Sequence, residues 1–459
     1  MVKNSVITLI ALLVTLICYI VLGISGDIRS EIGKYWLIIL PIYLIYFLTS
    51  VYVLNERMIQ NIPILWFILA GFLFRIVLVP SDPFLSDDVY RYLWDGKIFG
   101  AGINPYKYAP LDMRLSEFRD SHVFPNINFP EIATSYPPVS QFIFLINNWL
   151  GGSIFTWKIL LLLVEVPLIF VILRLTQYFQ LNKSRILIYF YNPLLIIETY
   201  SSGHLEILGV FFFWTAVLLF YQRRDWRGIT FFTFSIMTKF FPLISGLPFL
   251  IQKFFRKSGL LMLIIVLLLL PFMFSGVIPL PGLFSYINRW EFNSGLYQFI
   301  TSVFSLINVK EYNWLILNFS GYQESFYISH GFYYKLSALL IFLVVLVDQV
   351  KKLKATSAFR SINYIQRSFI LTALFLLLTP TLHPWYLIWI IPFLVFVPNI
   401  SWIIFTLLIQ TSYFVLKDYS MYSIWKESIW VLLIQYIPVY ALLIWEYLDR
   451  RKIRGWLVY

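Results

Sequence analysis

The sequence contains one cysteine, Cys18, and four histidines. A single thiol excludes an intramolecular disulfide, and so few Cys and His residues argue against a metal site built from them. Charge is scarce too. Only 13% of the 459 residues are Asp, Glu, Lys or Arg, where a soluble domain carries about 25%. No internal repeat and no low-complexity linker divides the chain, so one integrated domain over residues 1–459 is expected.

What is abundant is apolar. The composition is 60% hydrophobic and 20% aromatic, with a mean hydropathy of +0.78. Apolar runs of about 20 residues recur, as in a polytopic helical membrane protein. The first run, Val6 to Leu22, follows a lone Lys3 and has no small-residue cleavage site after it, so it is expected to be a retained helix. The net charge of +12 has its first explanation in membrane topology rather than nucleic acid.

Basic residues cluster at Arg57, at Arg174, Lys183 and Arg185, at Arg223, Arg224 and Arg227, at Lys253, Arg256 and Lys257, at Lys351, Lys352, Lys354 and Arg360, and from Arg450 to Arg454. The positive-inside rule places these in the cytoplasm. Spans are then expected near 5–24, 35–54, 61–79, 154–177, 185–201, 204–221, 228–240, 241–253, 258–278, 332–350, 366–381, 384–398, 400–416 and 428–447. The expected fold is therefore an all-α polytopic bundle of about 13–14 transmembrane helices with both termini inside. Three runs, 228–240, 241–253 and 384–398, are short for a bilayer and meet at "KFFP" and "LHP" breaks. Broken helices survive where they line an enclosed cavity.

This topology leaves two large outer loops, 80–153 and 279–331. Residues 80–135 carry eight acids and five Lys or Arg, the opposite bias to the inner loops. Within them "SDDVYRYLWDG" predicts a short helix over 87–99, with Asp88, Arg91 and Asp95 on one face. "YPPVSQFIFLINNW" predicts an interfacial helix begun by Pro137-Pro138, and a second one is expected around 296–307.

Charged groups beside aromatics at a membrane surface point to a site. Asp87 and Asp88 are the candidate bases, because a partly desolvated carboxylate near a cation can take a hydroxyl proton. The bland alternative is a solvated helix with Asp87–Arg91 and Arg91–Asp95 pairs. Glu198, His204 and Glu206 in "ETYSSGHLE" stand at the ends of two apolar runs. Lys239, at one break, offers a cation for phosphate, and His383 and Tyr386 border the other break. Arg289 adds a further cation, and Tyr136 opens the "YPP" turn. Arg75, inside an apolar run, needs a partner, for which a loop carboxylate is expected. A base ringed by cations and aromatics suits transfer from a phosphate-bearing donor to a hydroxyl.

The order "DDVYRYLWDG", "GINPY", "YPP", "GHLE", "TKFFPL" and "HPWY" resembles the C-type (GT-C) glycosyltransferases, membrane enzymes that use polyprenyl- or dolichyl-phosphate sugars. The resemblance spans roughly residues 82–386 and is closest to the bacterial polyprenol-phosphate-mannose-dependent branch. It implies an inverting hexosyl transfer, of mannose in that branch, to a lipid-linked or glycan hydroxyl outside the cytoplasm. It implies a loop Asp as base, Asp87 by order of motif and Asp88 next. Lys239, Arg289 and His383 would hold the donor phosphate, and Arg91, Asp95, Tyr136, Glu198, His204, Glu206 and Tyr386 the substrates. It leaves a divalent metal open. The simplest members place this loop after their first helix, whereas here two additional spans precede it.

Two other classes fit an oily chain. A transporter of lipid-linked sugars should show two related halves, and no second copy of the acidic loop is present. A glycan polymerase or ligase with a lipid-diphosphate donor calls for more cations than acids in its outer loops, and the loop over 80–135 is net acidic.

Overall fold

A computed structural model describes residues 2–55, 63–253, 258–274, 282, 290–315, 325–355 and 361–449. It is an all-α polytopic membrane protein. The first thirteen α-helices are α1 (Val2–Ile24), α2 (Ile32–Leu54), α3 (Ile64–Ile76), α4 (Asp88–Gly100), α5 (Pro138–Trp149), α6 (Ile154–Tyr178), α7 (Ile186–Phe190), α8 (Pro193–Tyr200), α9 (Glu206–Tyr221), α10 (Asp225–Ile236), α11 (Pro242–Ser245), α12 (Leu247–Lys253) and α13 (Ser258–Met273). Helices Gly295–Leu306, His330–Ala355, Asn363–Leu378, Ile400–Leu408, Val415–Tyr422 and Ile429–Leu448 follow. Among the described residues, Val6–Ile24, Ile32–Leu54, Ile154–Tyr178, Ile400–Tyr422 and Ile429–Leu448 are long and apolar enough to cross a membrane. Apart from His330–Ala355 the others are shorter, and the core between them is packed with aromatics such as Trp94, Trp157, Trp214, Trp389 and Trp402, all fully buried.

Two expectations are corrected and one element is added. The run 185–201 is two short helices, α7 and α8, because Asn192-Pro193 restarts the chain. The Asn192 side chain accepts hydrogen bonds from the Leu194 and Leu195 amides at 3.0 and 3.3 Å, and Pro193 needs no partner at the first helical position. The run 384–398 forms two tight 3-10 segments, Pro384–Trp389 and Ile391–Val395, rather than a spanning helix. The second large loop also contains an antiparallel hairpin, β1 (Tyr312–Leu315) with β2 (Ser325–Ile328).

Arg75 is the third correction. Its partner is Glu165 of α6 and no loop carboxylate. Arg75 Nε and Nη2 donate to the two Glu165 oxygens at 2.5 and 2.7 Å, with both side chains wholly buried. The Tyr189 hydroxyl donates to Glu165 at 3.0 Å, and Tyr200 donates to it as well. The guanidinium also lies over the Phe190 ring. A buried pair is tolerated only when extra hydrogen bonds satisfy its remaining atoms, and this one ties α3, α6, α7 and α8 together.

Two close approaches set the loop elements. Helix α4 lies on α5 so tightly that a Cβ on Gly96 would fall 2.3 Å from the Phe144 carbonyl oxygen. The segment after Arg289 is stitched to the break before Pro384. Phe292 donates its amide to the Pro380 carbonyl, and Leu382 donates its amide back to the Phe292 carbonyl, at 3.1 and 2.8 Å.

Candidate active site

Asp87 is the residue before α4 and Asp88 is its first residue. Two carboxylates at a helix N-terminus suit the positive end of the helix dipole, yet neither caps the helix. Their side chains part company. Asp87 accepts a bidentate pair of hydrogen bonds from Arg29, Nη2 to Oδ1 at 2.6 Å and Nη1 to Oδ2 at 3.0 Å. Asp88 forms no side-chain hydrogen bond among the described residues. Its Oδ2 lies 3.7 Å from His204 Nδ1, and its side chain is 26% exposed.

His204 is presented by the turn Ser201–Leu205 between α8 and α9. Gly203 has φ +78°, a conformation that favours glycine. Its carbonyl accepts from Trp157 Nε1 at 2.7 Å, and the His204 amide donates to the Glu198 carbonyl at 2.9 Å. The imidazole stacks on Trp385, centroids 3.9 Å apart, and Trp385 stacks on His383 at 4.3 Å. His383 in turn stacks on Phe292 at 4.8 Å. Among the described residues neither buried His204 ring nitrogen has a hydrogen-bond partner. Nε2 faces Glu198 Oε2 at 3.5 Å, while Glu198 Oε1 accepts from the Tyr413 hydroxyl at 2.6 Å.

Lys239 completes the cluster. It pairs with Glu206, the first residue of α9, and its ammonium lies 4.7 Å over the Tyr386 ring. Glu206 Oε2 is buried and has no hydrogen-bond partner among the described residues. Burial pushes the Asp88 carboxyl up to about 7, with Glu206 and Asp87 adding to the rise and Lys239 opposing it. Burial and the nearby Asp88 charge also push the Tyr136 phenol well above its ordinary value.

The structure thus gathers Asp88, Glu198, His204, Glu206, Lys239, His383 and Tyr386, from four distant stretches of chain. Arg91 and Asp95 are engaged elsewhere. They pair with each other at 2.8 Å, Arg91 donates to the Ile132 carbonyl, and Asp95 accepts from Gln141, so both support the loop over 132–141. The Tyr136 ring packs on Tyr92 and Phe144. Arg289 lies outside the described residues. Three contributors were absent from the sequence reading: Arg29, Tyr413 and the stacking role of Trp385. Arg29 stands beside Asp27 in the polar gap between the first two apolar runs, which is a usable signal, whereas nothing marks Tyr413. Among the described residues no group of three or more His, Cys, Asp or Glu is arranged to hold a metal ion.

Fold and site define a polytopic membrane protein with a cluster of acidic and basic side chains at the junction of its broken helices. The family is more specific. The profile of the alpha-(1->6)-mannopyranosyltransferase N-terminal domain matches residues 25–256, half of the sequence, and the chain belongs to that family. It is 27% identical over 184 residues to alpha-(1->6)-mannopyranosyltransferase A of Mycobacterium tuberculosis. That match covers 39% of this chain and 35% of the relative, so the chain spans about a third of the curated protein it matches. No solved structure matches.

Proposed function

We propose that the protein is an inverting mannosyltransferase. It moves mannose from a polyprenyl-phosphate donor to a hydroxyl of a lipid-linked or glycan acceptor on the extracytoplasmic face, with Asp88 as general base. The family and the name of the mycobacterial relative support the sugar and an α-(1→6) linkage. The observation that carries the mechanism is the contrast between two adjacent acids. Asp87 is neutralised by a bidentate arginine, while the Asp88 carboxylate has no hydrogen bond among the described residues and is partly open and beside His204.

The acceptor oxygen attacks the sugar C1 as the C1–O bond to phosphate breaks. The acceptor proton passes to Asp88, and polyprenyl phosphate leaves with the bonding electron pair. Inversion at C1 makes an α-mannoside from a β-linked donor. The leaving phosphate gains negative charge, which the Lys239 ammonium, whose charge already acts on Asp88, can offset. The His204–Trp385–His383 stack supplies a rigid wall, and the two His204 nitrogens, without a hydrogen-bond partner among the described residues, are available to a substrate hydroxyl.

The test is turnover by purified protein with synthetic polyprenyl-phosphate β-mannose and octyl α-mannoside. General-base catalysis contributes roughly 10²–10⁴-fold, so Asp88→Asn should lose at least about a hundredfold in kcat and retain donor binding. Wild-type turnover in Asp88→Asn would remove Asp88 from the role.

A further inference from the structure

The first two helices, α1 and α2, have no place in the chemistry above. The loop between them, however, reaches the site. Arg29, flanked by the buried residues Ile28 and Ile32, lies between α1 and α2. Besides its two bonds to Asp87, its Nε donates to the Phe84 carbonyl at 2.9 Å. One guanidinium therefore fixes both the Asp87 carboxylate and the chain that leads into α4. It does so from a firm base, because α2 is bonded to the body of the bundle. Tyr43 donates to the Thr406 carbonyl at 2.7 Å, Tyr46 donates to the Ile188 carbonyl at 2.8 Å, and Asn192 donates to the Tyr46 hydroxyl at 2.9 Å.

We infer that Arg29 is a positioning residue for the transfer: by holding Asp87 in a bidentate pair it turns that acid out of the site and leaves Asp88 as the one loop carboxylate facing the acceptor. The N-terminal helix pair is then the mount for the base. This rests on the reading of Asp88 as base.

Two adjacent carboxylates otherwise compete for the same proton. Arg29 removes the competition in two ways. It supplies a counter-charge to Asp87, and its planar fork fixes the Asp87 rotamer, which a lysine cannot match. The charged and titratable groups around Asp88 are Asp87 with its Arg29, His204 and Glu206 at the start of α9, Lys239 after α10, Glu198 of α8, and the phenols of Tyr92, Tyr136 and Tyr413. Only Asp87 is touched directly by Arg29 among these.

The pair predicts opposite effects from breaking its two halves. Arg29→Gln leaves Asp87 as a bare negative charge beside Asp88, which raises the pH at which Asp88 ionises. Asp87→Asn removes that charge and lowers it. The ionisation can be read without turnover, as the pH dependence of the melting-temperature difference between each protein and its Asp88→Asn partner. Relative to the wild-type pair, the transition should move to higher pH in Arg29→Gln and to lower pH in Asp87→Asn. A structural staple with no bearing on the base would move neither, or both the same way.

Turnover adds the second arm. Arg29→Gln should lose tenfold or more in kcat with KM within about twofold of wild type, and Arg29→Lys should recover part of it. The double variant Arg29→Gln/Asp87→Asn should be no slower than Arg29→Gln alone, since there is no longer an acid to compete. An unchanged transition in both single variants, or an additive loss in the double, overturns the inference. Wild-type turnover in Asp88→Asn overturns the base assignment instead, so the two failures are distinguishable.

Discussion

At the scale of single residues, the environment of Asp88 sets a pH profile. A base works deprotonated, and this carboxyl is pushed up to about 7. The value of kcat/KM should therefore fall about tenfold per pH unit below pH 7 and level off above it. A profile flat from pH 5 to 8 in wild type would show that no such group limits the reaction. The acidic pair itself was legible from the sequence, because paired carboxylates in an otherwise oily chain stand out. The choice between them was not. It depends on Arg29, 58 residues upstream of Asp87, and no local pattern records a contact at that separation. Nor could spacing show that Arg91 and Asp95, on the same helix as Asp88, would turn to Ile132 and Gln141.

At the scale of elements, the broken helices are what build the site; the Asn192-Pro193 break inside 185–201 was read through, whereas the breaks at "KFFP" and "LHP" were legible as Pro punctuation. Their lengths were not, since an apolar run buried inside a bundle has the same composition as one that faces lipid. That is why 185–201 and 384–398 read as spans. The buried Arg75–Glu165 pair holds two of these short elements, through Tyr189 of α7 and Tyr200 of α8, just before the turn that presents His204. Glu165→Gln would leave the Arg75 charge buried and uncompensated. Loss of one partner in such a pair costs about 3–5 kcal/mol, so this variant should melt well below wild type in detergent and lose turnover with it. The double variant Arg75→Met/Glu165→Leu should recover much of the stability, because apolar replacements of similar volume remove both charges together. A Glu165→Gln protein as stable as wild type would mean that the pair is already compensated by its tyrosines and aromatic faces.

At the scale of the whole molecule, orientation decides which compartment supplies the substrates. The loop that carries Asp88 is net acidic, with eight acids to five bases over 80–135, while the connection between α9 and α10 and the first turn of α10 carry Arg223, Arg224 and Arg227 close together. Charge bias in short loops fixes orientation, so the two segments should lie on opposite sides of the membrane, the arginines inside. The chain offers a clean test, because Cys18 is its one thiol. In a Cys18→Ser background, Ser116→Cys places a thiol at an exposed position of the acidic loop, and Gln222→Cys places one beside the arginines, also exposed. A membrane-impermeant maleimide added to intact spheroplasts should label the first, and label the second only after permeabilisation. The reverse pattern would put Asp88, His204 and Lys239 in the cytoplasm. A donor lipid presented on the outer leaflet could not then reach the base, and the acceptor would have to be a cytoplasmic one.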